Sequence, residues 1–267
     1  MIKGVVESFY NKIITTLEQN RITKKISSGF LEKLIKVSTF FIAEIKLKKI
    51  ISKCKSIDDY IDIALNFEYS LFKSSILKAE IKSLQNRLEI KEFITLVNKI
   101  KPKIVVEIGT FRGGTLFLLS RFSSEDALII SIDLPTWNLK AGYGILRSHL
   151  YRSFLLKNQK LHLLARDSHK TSTFNEIKNI LKNNPIDILF IDGDHTYGGV
   201  KQDFGMYSPL VKKDGLIAFH DIVVHSPDQG CHVNEFWNEI KKKYDYQEIV
   251  DDWDQKHWGI GLLHNNK

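Results

Sequence analysis

Cysteine is nearly absent: Cys54 and Cys231 are the only two in 267 residues. They lie far apart and neither belongs to a CxxC pair. That excludes a disulfide framework and a cysteine zinc site, and it fits a reducing, cytoplasmic setting. Proline is scarce at five residues while 43% of the chain is hydrophobic, so wholesale disorder is excluded. Long apolar runs are missing too. The greasiest window, Phe30 to Ile51, is broken by Glu32, Lys33, Lys36, Glu44, Lys46, Lys48 and Lys49. Its longest uncharged stretch, Val37 to Ala43, falls far short of the roughly 20 residues a membrane span needs. Glu7 interrupts the early apolar stretch, so no secretory signal is expected. Repeats and low-complexity segments are absent.

Charge is lacking in one part of the chain only. Residues 56–267 hold 27 basic and 27 acidic side chains, whereas residues 1–55 hold 12 basic and 4 acidic ones. The whole net charge of +8 therefore sits in the N-terminal fifth. A neutral body argues against a nucleic-acid partner. A basic extension leaves two roles open: peripheral contact with an anionic membrane, or a packed dimer or cap helix with solvated lysines.

Hydrophobic spacing divides what remains. Phe30, Leu34, Val37, Phe41 and Ile45 recur at helical intervals. Ser56 with Asp59 reads as a capping box opening a helix through Ile57, Tyr60, Ile61, Ala64, Leu65 and Leu71. Ile81, Leu84, Leu88 and Ile94 suggest another helix, ended by Lys101-Pro102. Short β-branched runs then alternate with helical stretches: Ile104–Ile108, Leu128–Ile132, Leu161–Ala165, Ile186–Ile191 and Leu216–Phe219, with two more runs at Tyr246–Val250 and Gly259–Leu263. Such alternation predicts an α/β fold with a mostly parallel sheet covered on both faces. We read residues 1–55 as a basic helical extension, 56–100 as a helical cap, and 101–267 as the α/β domain.

In such sheets ligands bind beyond the carboxyl ends of the strands. The first strand ends in Glu107-Ile108-Gly109-Thr110, and Gly113-Gly114 opens the next helix. This ExGTxxGG pattern is not the dinucleotide spacing GxGxxG. Glu107 would repel a pyrophosphate but suit a ligand carrying a sulfonium and an ammonium. The plainer alternative is a tight strand–helix turn. Asp133 ends the second strand, 24 residues after Gly109, and can accept hydrogen bonds from ribose hydroxyls. Asp167-Ser168 ends the third and can hold an adenine amino group, or else cap the helix before Thr173-x-x-Glu176. The fourth and fifth strands end in Asp192-Gly193-Asp194-His195 and His220-Asp221. Asp192, His220 and Asp221 can ligate Mg²⁺ or another divalent cation. His195 is the candidate general base, with His220 and His225 as competitors. Helix caps and loop hydrogen bonds are the alternative for all of these.

Phe190 through Asp203 reads Phe-Ile-Asp-Gly-Asp-His-Thr-Tyr-Gly-Gly-Val-Lys-Gln-Asp. With Pro209 to Asp221 behind it, this segment resembles the small-molecule and sugar O-methyltransferase branch of the class I S-adenosylmethionine-dependent methyltransferases. The resemblance covers about 101–263. It implies a Rossmann-like, seven-stranded sheet with the last strand antiparallel, and cofactor contacts from Gly109, Thr110, Asp133, Asp167 and Ser168. Metal-dependent relatives carry an acid after strand four and an Asp-Asn pair after strand five. Here Asp192 stands for the first and His220-Asp221 for the second.

The expectation is therefore methyl transfer from S-adenosylmethionine to a hydroxyl of a small molecule or saccharide, assisted by a base or metal, in a homo-oligomer. The loop Pro135 to Gly144, with Trp137, Gly142 and Tyr143, is a candidate lid. Trp253 and Trp258 line an acceptor pocket or pack in the core. Two other classes stay open: a nucleotide-dependent oxidoreductase and a non-catalytic methyltransferase-like module.

Overall fold

A computed structural model describes residues 27–71, 78–135 and 143–266, with side chains from residue 33 onward. Its N-terminal part contains helices α1 (Ser27–Ile51) and α2 (Ile57–Asn66), the hairpin β1 (Glu68–Ser70) and β2 (Lys78–Glu80), and helix α3 (Arg87–Ile100). The α/β unit follows as β3 (Ile104–Ile108), α4 (Gly114–Phe122), β4 (Leu128–Asp133), α5 (Ile145–Arg152), β5 (Lys160–Ala165) and α6 (Thr171–Leu181). It continues through β6 (Ile186–Ile191), α7 (Tyr197–Tyr207), β7 (Val211–His220), α8 (Val233–Ile240), β8 (Asp245–Ile249) and β9 (Ile260–His264).

Strands β3 to β9 form one seven-stranded sheet in the order β5-β4-β3-β6-β7-β9-β8. The pairs from β5 to β7 are parallel, and β9 runs antiparallel to both neighbours. The expected Rossmann-like architecture is thus observed. The order reverses between β3 and β6, so their carboxyl ends flank the crevice where such sheets bind ligands. Alternate side chains split into two cores. Val105, Ile129, Ile188 and Phe190 meet α2, α3 and α4 through Ile61, Phe93 and Phe117. Val106, Ile130, Leu189 and Phe219 meet α6, α7 and α8 through Ile177, Val200 and Trp237. Period-two burial on both faces explains why the strands read as continuous apolar runs.

Local signals explain most helix boundaries. Ser56 and Asp59 form the full capping box that starts α2. Asn86 caps α3 by accepting from the Leu88 N–H, and Lys101 closes that helix in the left-handed region before Pro102. Two expectations are corrected. The helix from Ile57 ends at Asn66, and a hairpin follows, so Leu71 is not on that helix. The run from Ile81 to Ile94 is not one helix, because residues 81–85 precede the Asn86 cap and Lys82 bridges to Arg112 and Gly113. Helix α5 was not among the predicted elements.

The N-terminal part packs against the glycine turn that follows β3. Lys82 donates to the Arg112 carbonyl at 3.3 Å and accepts from Gly114 at 3.2 Å. Arg112 reaches buried Glu80 at 2.5 Å. On the far side, buried Glu89 of α3 accepts from the backbone N–H groups of Asp251 (3.0 Å) and Gly259 (2.8 Å) and from Gln255 Nε2 (2.7 Å). One carboxylate thereby ties α3 to the β8–β9 connection. Glu89→Ala strands three donors, and urea denaturation is expected to show a loss of about 3 kcal/mol. A loss under about 0.5 kcal/mol, the range of an ordinary surface change, would show that the tie is not structural.

Candidate active site

The glycine turn owes its shape to two residues. Gly109 has φ +88°, and a Cβ there would lie 1.8 Å from the Asp192 carbonyl oxygen. The ends of β3 and β6 therefore touch backbone to backbone, with Asp192 donating to the Ile108 carbonyl at 2.8 Å. Gly113 has φ +76°, and a Cβ there would strike the Tyr151 ring at 2.6 Å. Either position admits only glycine.

Asp133, Asp167 and Ser168 come together. With Ile108, Ile132, Arg166, His169 and Asp194 they line a cavity of about 300 Å³ at the carboxyl ends of β3 to β6. Asp133 accepts from the Phe111 N–H at 3.0 Å and from the Leu134 N–H at 2.8 Å, which aims the carboxylate. Burial raises its pKa. Asp167 accepts from the His169 N–H at 2.8 Å, so it shapes its own turn, while Lys170 stands at the N-cap of α6.

Glu107, Thr110 and Gly113 lie behind this surface. Glu107 is completely buried, and Ser131 donates to its Oε2 at 2.5 Å. Ser131 and Tyr143 each contact the Thr110 hydroxyl, at 2.5 and 2.6 Å. Ser131 was not among the predicted site residues, and Tyr143 was read only as part of the candidate lid loop. Pairing explains the first, since Ser131 stands opposite Glu107 in the β3–β4 register. Glu107 Oε1 is buried without a hydrogen-bond partner. Burial pushes the Glu107 carboxyl up to about 8. The acid expected to meet a cationic ligand is therefore neutral at pH 7 while the site is empty of cations.

A second cluster stands beside the cavity. The turn after β6 is held by Asp194, which accepts from the Thr196 N–H at 2.9 Å, and by Thr196, which caps α7 by accepting from the Gly199 N–H at 3.0 Å. His195 is thereby turned toward two acids, with Nε2 3.4 Å from Asp192 and Nδ1 3.5 Å from Asp221. His220 Nδ1 lies 3.1 Å from Asp192 and 3.3 Å from Asp221. His225 Nε2 lies 3.1 Å from Asp221. Burial would raise the Asp192 carboxyl, but His220 and His195 hold it below its ordinary range. Asp221 is pulled down further, chiefly by His220 against burial. Burial opposes a charge on His220, yet the two carboxylates raise its pKa well above 6.5. The hydrogen bond to Asp192 raises His195.

Exposure separates the three histidines. The side chain of His195 is 45% exposed, whereas His220 and His225 are 4% and 7% exposed. Only His195 can meet a bound molecule directly. Ligand atoms of Asp192, His220 and Asp221 lie within 4.8 Å of one another, as do those of His195, Asp221 and Cys231. Carboxylate oxygens and imidazole nitrogen suit a small divalent ion, and His220 Nδ1 already points at both acids. Cys231, Gln85 (3.5 Å from Asp192) and Asp203 (3.3 Å from His169) also belong to this region and were not singled out from sequence. Asp203 closes the Phe190–Asp203 motif, so its spacing was a signal available to be read. Trp137 and Gly142 fall outside the described residues. Trp258 donates its backbone N–H to Asp221 at 3.2 Å, and Trp253 is exposed.

Residues 106–222 match the family model described as "Methyltransferase domain". That match spans the glycine turn and the Phe190–Asp203 motif. Protein R132 of Acanthamoeba polyphaga mimivirus is 36% identical over 116 residues, 43% of this chain and 50% of that one. Protein y4gI of Sinorhizobium fredii (strain NBRC 101917 / NGR234) is 27% identical over 146 residues, 54% of this chain and 16% of that one. The chain thus spans half or less of the length of these relatives. A solved O-methyltransferase from Bacillus cereus in complex with SAH covers 86% of this chain and 90% of its own at 16% identity, with a TM-score of 0.48.

The buried Glu107 has a measurable consequence. Its carboxyl titrates at an ordinary value of 4.5 when unfolded and at about 8 when folded. Between those values the folded state keeps a proton that the unfolded state has lost, so stability falls as pH rises. Urea denaturation of the cofactor-free protein is expected to show a decline of several kcal/mol from about pH 5 to about pH 8. Glu107→Gln should flatten it. An equal slope in both proteins would assign the pH dependence elsewhere.

Proposed function

We propose that this chain, whose residues 106–222 match the family model described as "Methyltransferase domain", transfers a methyl group from S-adenosylmethionine to a hydroxyl of a small molecule or saccharide. The observation that carries this reading is the adjacency of the two sites. The Asp133–Asp167 cavity and the Asp192–His195–Asp221 cluster meet at the backbone contact between Gly109 and Asp192. The residues present fit the cofactor. Asp133 offers a carboxylate for ribose hydroxyls, and Asp167 and Ser168 offer polar atoms for adenine. The Oε1 of Glu107 has no hydrogen-bond partner, and a cation bound near the glycine turn would favour the ionised acid.

The reaction is an in-line displacement. The acceptor oxygen forms a bond to the methyl carbon, the carbon–sulfur bond breaks, and its electron pair stays on sulfur. The enzyme's main task is alignment, which can contribute several kcal/mol. The acceptor's proton must leave. His195 is the exposed histidine beside that position, and Asp192 and Asp221 steady its ring and its charge. A divalent ion held by Asp192, His220 and Asp221 would supply Lewis-acid activation of the hydroxyl. A cytoplasmic setting belongs to this reading, in keeping with two free cysteines.

Calorimetric titration should show binding of S-adenosylmethionine and not of NAD. Asp133→Ala should weaken that binding about 10- to 100-fold, the value of one or two lost hydrogen bonds to a charged group. Tight NAD binding without response to the methyl donor would overturn the reading in favour of an oxidoreductase. His195→Ala should lower methyl transfer about 10²- to 10⁴-fold while leaving cofactor affinity within about twofold. Cofactor binding without methylated product from a broad panel of hydroxyl acceptors would favour the non-catalytic module. Loss of turnover on chelation, restored by Mg²⁺, would place an ion in the site, and unchanged turnover would remove it.

A further inference from the structure

Helix α1 has an apolar face that nothing among the described residues covers. Its inner face buries Thr39, Phe40, Ala43 and Leu47. Opposite them stand Leu34, Val37, Phe41 and Ile45, all exposed, with Val37 at 51% and Phe41 at 58%. At 3.6 residues per turn these four fall within an arc of about 80°. The fold therefore uses one side of α1 and leaves a continuous stripe on the other. A stripe of this kind on a soluble chain marks a contact surface.

Charge says what it contacts. From residue 33 to the end of α1 there are five lysines (33, 36, 46, 48 and 49) and one acid, Glu44. Lys33, Lys36, Lys48 and Lys49 are exposed. Glu44 is already engaged, 2.6 Å from Lys48 and 2.9 Å from His149. On the helical projection Lys48 lies inside the stripe and Lys33 and Lys49 lie about 40° beyond its two edges. A second copy laid along this face would set lysines against lysines with no free acid to offset them. A surface that is apolar beneath and anionic above satisfies both features.

We infer that α1 docks the protein on an anionic phospholipid bilayer, inserting Leu34, Val37, Phe41 and Ile45 between headgroups that the flanking lysines neutralise. The consequence reaches the active site. Glu44 and His149 join α1 to α5, and α5 begins two residues after Tyr143, whose hydroxyl contacts Thr110 in the glycine turn. A docked α1 holds the crevice one helix away from the bilayer, where acceptors carried on lipid would be concentrated.

Flotation of the full chain with vesicles tests this. Vesicles of phosphatidylcholine with about 30% phosphatidylserine should carry at least about tenfold more protein than phosphatidylcholine alone, less so in about 0.5 M salt. Val37→Asp/Phe41→Asp should lose that binding about tenfold or more. Because both residues are exposed, the variant should keep the wild-type melting temperature and S-adenosylmethionine affinity. Lys48→Glu/Lys49→Glu should weaken binding with the stripe intact. Equal recovery on neutral and anionic vesicles, or unchanged binding by Val37→Asp/Phe41→Asp, would overturn the inference. Absent vesicle binding would do the same and reassign the face. A dimer that the aspartate variant breaks would give it to a second copy, and a lowered melting temperature would give it to residues 1–26. Capture of an acidic amphipathic peptide instead of vesicles would give it to a protein partner.

Discussion

At Gly109 the ends of β3 and β6 touch with no side chain between them, and the geometry of both halves of the crevice rests on that contact. A Cβ would lie 1.8 Å from the Asp192 carbonyl oxygen. The same two strand ends exchange a backbone hydrogen bond of 2.8 Å between Asp192 and Ile108. The glycine turn and the acid–histidine cluster are thus parts of one rigid junction. Moving either strand end by an ångström would displace the Asp133–Asp167 cavity relative to the acid–histidine cluster, and groups that must be held in mutual register tolerate such a shift poorly.

Layers around this junction keep it in place. Lys82 bridges under the turn, Arg112 is held by buried Glu80, and Tyr151 fills the space left by Gly113. On the other side Glu89 gathers the β8–β9 connection, which carries Trp258 to Asp221. The segment before the sheet therefore braces the glycine turn from behind and the histidine cluster through the C-terminal hairpin. This explains why α3 contacts β8 and β9 as well as α4.

How much of this could be read in the linear chain follows from the range of each interaction. The strands were legible because burial on both sheet faces leaves unbroken β-branched runs, as at Ile104–Ile108 and Ile186–Ile191. Ser56 with Asp59 and Lys101 with Pro102 were legible because capping acts over three or four residues. The β1–β2 hairpin was not, because its three-residue strands are held by pairing with each other and by the turn at residues 112–113. Acids and histidines at strand ends could be nominated from topology alone. Which histidine faces outward could not, since the 45% exposure of His195 against 4% for His220 is set by the Thr196 cap and by β7 packing. Ser131 and Tyr143 become partners of Glu107 and Thr110 only once β4 and α5 are in place.

Four acids of this crevice, Asp192, Asp221, Glu107 and Asp203, meet a desolvation penalty that favours the neutral form, with two outcomes. Asp192 and Asp221 stay ionised because histidines stand within 3.5 Å. Glu107 has only hydroxyl partners, and its carboxyl rises to about 8. Asp203 has one histidine, His169 at 3.3 Å, against two or more at Asp192 and Asp221, and burial still pushes it up to about 6. Negative charge is therefore kept on the histidine-lined acids and withheld from the carboxyl behind the glycine turn. Pairs of acids pushed apart by their surroundings mark the division of labour in a catalytic site. Here the division runs along the Gly109–Asp192 contact, with the charged acids on the β6–β7 side and the neutral Glu107 on the β3–β4 side.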